Sequence, residues 1–150
     1  MDEDEPAVRK TDEVKEKSAE IARDLLRIID LEGDLKPPGY VVGLCGDRDA
    51  DKFYRINNFW SIAGATVTDL RKTMARLKEE LPRAGWDIAS YGPAHSKAQQ
   101  LTLIANYRAD KFSVSIEALE PSPKGRERSL LYVGLTSACY QAPEGEKTGY

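Results

Sequence analysis

Positions with small or apolar side chains between Val14 and Ile29 recur every three or four residues. Val14, Ser18, Ile21, Ala22, Leu25 and Ile29 share one face, and Glu13, Lys17, Glu20 and Asp24 populate the other. The spacing predicts an amphipathic helix, capped by Thr11 or Asp12 and ending near Leu31, with Gly33 as its stop signal. A second helix is clearer. Val67, Leu70, Met74, Leu77 and Leu81 repeat at the same spacing, and Thr66 and Asp69 stand at capping-box distance with Asp in place of the usual Glu. Pro82 and Gly85 end it, and Arg71, Lys72, Lys78 and Glu79 form its outer face.

Elsewhere the period changes to two. Residues 53–63 alternate Tyr54, Ile56, Asn58, Trp60 and Ile62 with Phe53, Arg55, Asn57, Phe59 and Ser61, so both sides of this strand carry large apolar groups. Four more strands are predicted at 86–91, 101–108, 112–119 and 130–138, the third alternating most cleanly. Ala109-Asp110-Lys111 makes a hairpin turn, Pro121-Ser122-Pro123-Lys124-Gly125 a longer one, and residues 95–100 a polar connection. Residues 33–52 read as a linker. Lys36-Pro37-Pro38-Gly39 sets an extended path and a turn, and only Tyr40-Val41-Val42 suggests a short strand.

Short links between the last four strands imply an antiparallel meander. The expected fold is an α+β two-layer sandwich, with a sheet of about five strands and both helices on one face. The expected strand order is 53–63, 130–138, 112–119, 101–108, 86–91. Residues 1–10 read as a flexible acidic spacer, 11–140 as a single domain and 141–150 as a flexible tail.

The chain has 150 residues, enough for one domain with its own core. Its hydrophobic content of 41% and charged content of 31% are those of a globular domain rather than a disordered one. A net charge of −3 gives no pull toward nucleic acid, and the basic residues are scattered without interleaved aromatics, so no nucleic-acid partner is expected. No apolar run approaches the ~18–20 residues of a membrane span. The acidic start Met1-Asp2-Glu3-Asp4-Glu5 is unlike a signal peptide. It fits a cytoplasmic protein, or one whose leader has been replaced by Met1. Cys45 and Cys139 match no zinc spacing, and two buried thiols and one disulfide remain the alternatives from their count.

Several of these segments, in order, resemble small exported lipoproteins of actinobacteria, a Streptomyces-type family of unknown function. They are Ala19-Glu20-Ile21-Ala22-Arg23-Asp24-Leu25-Leu26, Cys45, Gly85-Trp86 and Thr136-Ser137-Ala138-Cys139. The likeness covers roughly residues 19–143 and rests on short motifs; Ala138 departs from it, where the pattern leads to proline. The resemblance implies an extracellular or envelope location, a lipid anchor outside these residues as the link to a membrane, and a pairing of Cys45 with Cys139. It implies no activity. The expected strand order agrees with the pairing, since Cys45 precedes one strand and Cys139 follows its neighbour.

Candidate chemistry is sparse. Asp47, Asp49 and Asp51 form a D-x-D-x-D run, but Lys52 and Asn58 stand where a calcium loop wants Gly and Glu, so a solvated acidic loop is the better reading. His95 beside Ser96 lacks an orienting third group and a G-x-S-x-G context. Glu79-Glu80 and Glu117 with Glu120 are carboxylate pairs of the kind any acidic surface offers. No catalytic set and no cofactor site is assigned. The aromatic strand positions are the remaining lead. Doubly apolar strands need covering, by residues 33–45 or by a partner. In the second case Tyr54, Asn58, Trp60 and Tyr132 are the expected contacts with an envelope protein or small ligand. The expected function is a non-enzymatic envelope binding module, with a small extracellular hydrolase as the alternative.

Overall fold

The computed structural model describes residues 5–94, 100–123, 125 and 127–149. Helix α1 spans Thr11–Ile29 and buries the six residues that its spacing singled out. It stops before Gly33, because Asp30 adopts a left-handed conformation (φ 40°) and its N–H bonds the Leu26 carbonyl. Short polar side chains tolerate that conformation better than most. Helix α2 spans Val67–Glu80; the Thr66 hydroxyl caps it by accepting from the Asp69 N–H at 3.0 Å. A single turn at Leu81–Ala84 follows, and Gly85 at φ 102° releases the chain into the next strand.

Among the described residues seven strands follow: β1 Asp34–Gly43, β2 Phe53–Ala63, β3 Trp86–Pro93, β4 Leu101–Tyr107, β5 Phe112–Leu119, β6 Leu130–Ser137 and β7 Tyr140–Gln141. The main sheet runs β1-β2-β6-β5-β4-β3, with every neighbouring pair antiparallel. The expected order of five strands holds, and the α+β two-layer class with it. The sheet is larger than expected because residues 34–43, read as mostly linker, form an edge strand. Pro37 and Pro38 sit at the register shift between Lys36 and Gly39, where the ladder is interrupted, so their missing N–H groups cost no pairing. The opposite edge, β3, has its own shift between Ile88 and Ser90. Both edges are thus poor templates for another strand.

Both helices pack on one face. Val14, Ile21, Leu25 and Ile29 of α1 and Leu70, Met74 and Leu77 of α2 share a core with Tyr54, Ile56, Trp60, Leu103, Val114, Ile116, Leu131, Val133 and Leu135 of the strands. The segments expected as spacer and tail also make contacts. Gln141 of β7 donates to Ala7 O and its carbonyl accepts from Arg9 N, while Thr148 is buried and its hydroxyl donates to Ala50 O. The polar connection around His95 and Ser96 lies outside the described residues.

Candidate functional site

Antiparallel register settles which side of each strand faces the helices, because directly paired residues share a face. In β2 the inner set is Tyr54, Ile56, Asn58, Trp60 and Ile62; in β6 it is Leu131, Val133, Leu135 and Ser137. Three of the four aromatic-polar contact candidates are therefore interior. Trp60 is 1% exposed, and Tyr54 and Asn58 are buried beside it. They cannot contact a partner without opening the core. The cause lies in the number of apolar groups on each side. Four large apolar side chains on the even-numbered side of β2 outweigh Phe53 and Phe59 on the other, so the even side turned inward.

These interior positions have structural chemistry instead. The Tyr54 hydroxyl donates to the Arg9 carbonyl at 2.7 Å, fastening the segment before α1 to the sheet. Burial is the main cause that pushes its phenol up to about 12. A phenol that ionises less readily folded than unfolded stabilises the fold fully below the ordinary value near 10, and that contribution fades as pH rises toward 12. Stability is thus expected to fall between pH 10 and 12, and less so in Tyr54→Phe; alkaline titration with unfolding monitored by circular dichroism checks this. Nearby, Asn58 Nδ2 donates to Ser18 Oγ at 3.3 Å, but Asn58 Oδ1 and Trp60 Nε1 are buried without partners among the described residues.

Of the four candidates, Tyr132 alone faces outward. Its surroundings define the open face. Register places three rows across the sheet on that side. The central row is Gly39, Phe59, Gly134, Ser115, Ile104 and Ser90. On one flank runs Lys36, Ser61, Tyr132, Glu117, Thr102 and Gly92; on the other run Val41, Asn57, Thr136, Ser113, Asn106 and Asp87. Phe59 and Tyr132 are diagonal neighbours whose rings stack, with centroids 6.1 Å apart and planes 10° from parallel. A side chain at Gly134 would begin 3.4 Å from the Phe59 ring, in ordinary contact with its edge atoms, so the ring lies next to this glycine. Phe59 and Tyr132 are each 38% exposed and Ile104 39%. Residues 33–45 do not cover them, because β1 lies in the plane of the sheet. Phe59 stood among the aromatic strand positions in the sequence but not among the expected contacts, and the stacked pair follows only from the β2–β6 register.

The other candidates resolve simply. Cys45 and Cys139 form a disulfide, with Cα atoms 5.9 Å apart. The Asp47–Asp51 run is a turn. Asp49 Oδ1 accepts from the Asp51 N–H, and the Asp49 carbonyl accepts from Lys52 and Phe53. Among the described residues no group of three or more His, Cys, Asp and Glu is placed to hold a metal ion. Glu120 is held in a bidentate pair by Arg71 at 2.8 Å, which lowers its carboxyl pKa, and Glu80 pairs with Arg76 at 2.9 Å. Neither is left as one of two facing carboxylates. A hollow of about 500 Å³ lies between the C-terminal segment and Asp51-Lys52, away from the open face. No described helix is long and apolar enough to cross a membrane. Comparison with protein-family models, curated proteins and solved structures finds no match.

Proposed function

We propose that this chain is a non-enzymatic binding module of the cell envelope, and that the open face of its sheet is the contact surface. The observation that carries the reading is the stacked, half-exposed Phe59–Tyr132 pair on a face that neither helix covers and over which β1 does not fold. An antiparallel sheet ordinarily leaves a polar face to water. Two parallel, half-exposed rings on a sheet, outside the core, are instead suited to contact: large, stiff and low in conformational entropy. Support for the location comes from the Cys45–Cys139 bridge, since disulfides persist in oxidising compartments, and from the resemblance to exported lipoproteins.

The test is cosedimentation of the purified chain with washed envelope fragments of an actinobacterium. The native protein is expected to sediment with the fragments, and Tyr132→Asp, which places a charge on the stacked pair, to remain largely in the supernatant. Equal sedimentation of both proteins, or of neither, would count against the open face as the contact surface. A melting curve for Tyr132→Asp within a few degrees of the native one shows that the variant still folds.

A further inference from the structure

We infer that the ligand of the open face is an uncharged polysaccharide, its sugar rings lying on Phe59 and Tyr132; this rests on the reading of that face as the binding surface. Three features point to this chemistry. A pyranose ring has apolar C–H faces and a rim of hydroxyls. It therefore calls for an aromatic ring beneath it and uncharged donors and acceptors around it. The nearly parallel, half-exposed pair supplies the first. Asn57, Thr136 and Ser115 stand next to it in the register, and Asn106 lies further along the same face, with amides and hydroxyls that both donate and accept.

Charge is the second feature. The three rows hold only Lys36, Glu117 and Asp87 as charged residues, with Lys36 and Asp87 on the edge strands β1 and β3. Glu117 beside Tyr132 accepts from Gln100 Nε2 at 3.4 Å. Beyond these rows Arg55 of β2 and Asp34 of β1 lie on the same side, so the charges of the face are mixed and spread over six strands, with no single-sign field to attract a strongly charged polymer.

Area is the third. At 38% exposure the two rings present roughly 150 Å² of aromatic surface. A stable protein interface needs about 800 Å² on each side, with a well-packed apolar centre. Around the rings the three rows are mostly polar, without the well-packed apolar centre of a stable protein interface, while the rings match individual sugar rings in size. Gly134 lies beside the Phe59 ring: a Cβ there would make ordinary contact at 3.4 Å, and a branched side chain, with atoms beyond Cβ, would displace the ring.

Affinity electrophoresis through native gels containing hydroxyethylcellulose, laminarin or galactomannan tests the inference, with polygalacturonate as the charged comparison. At least one neutral polymer is expected to retard the native chain more than polygalacturonate does. Tyr132→Ala and Gly134→Val are each expected to weaken that retardation at least tenfold. Tyr132→Ala removes half the platform from the surface; Gly134→Val keeps both rings but tilts one. Should Gly134→Val fail to fold, Tyr132→Ala carries the test alone, since its ring lies outside the core. No retardation by any neutral polymer, or retardation that both folded variants retain, overturns the polysaccharide assignment. If envelope fragments still hold the native chain but not Tyr132→Asp, the binding face stands and only its ligand class falls. If the fragments also fail to discriminate, both readings fall.

Discussion

Replacing Cys45 and Cys139 together by serine is expected to lower the free energy of unfolding by about 2–5 kcal/mol, the range for loss of a native disulfide. The bridge joins residues 94 apart, so it constrains most of the unfolded chain, and loop entropy alone gives an upper figure of about 4.7 kcal/mol. Its position adds to the effect. Cys45 follows β1, an edge strand held in the sheet by β2 alone, and Cys139 links β6 to β7. In turn β7 anchors the residues before α1. Without the bridge, amide exchange is expected to rise first along β1 and β7, before the central strands. For a chain of this size each kcal/mol moves the melting temperature by roughly 2–4 °C. Thermal unfolding of the double variant, alongside the native protein with and without reductant, measures the loss. A variant that melts with the native protein would show that the bridge contributes no stability.

The helices and the meander were legible because each has a local cause. The α1 stripe, the Thr66 cap and the short links after Trp86 each act over a few residues and agree with the final packing. The edge strand β1 was not legible as a full strand. Most of its residues are exposed, so its sequence carries no alternation, and Pro37-Pro38 is ordinarily a sign against a strand. An edge tolerates what a central position excludes. The sequence of β1 is better explained by protection against pairing than by pairing itself.

The open face was only half legible. With apolar groups on both sides of β2, local reading cannot decide which side turns inward, and Trp60 drew attention by its size. The deciding information was nevertheless present in the two sides compared as wholes. Tyr54, Ile56, Trp60 and Ile62 form a nearly continuous apolar row, broken only by Asn58, whereas Arg55, Asn57 and Ser61 separate Phe53 from Phe59. Asn58 obscured the contrast, because a polar residue inside the apolar row looks like a surface feature. Its buried hydrogen bond to Ser18 of α1 is a contact between layers that no strand pattern contains. The stacking of Phe59 on Tyr132 depends on the register between strands far apart in sequence, and so lay beyond a local pattern.

That division of faces leads to the second large effect. Trp60→Ala is expected to cost about 3–5 kcal/mol, the range for truncating a large buried aromatic, because the side chain is fully enclosed in the core that the helices share with the sheet and leaves a cavity behind. Phe59→Ala, one residue away on the same strand, is expected to cost about 1 kcal/mol, since it removes surface stacking but opens no hole. Trp60→Phe tests a further point. It keeps most of the packing and removes the indole N–H, which is buried without a partner among the described residues. An unsatisfied buried donor costs about 1–3 kcal/mol, so its removal offsets much of the lost volume, and Trp60→Phe should lie well below the alanine variant. Denaturant unfolding of the three variants under one set of conditions checks the ranking. If Phe59→Ala proved as damaging as Trp60→Ala, the two faces of β2 would be comparably buried. The open face, and the binding surface argued from it, would then have to be abandoned together.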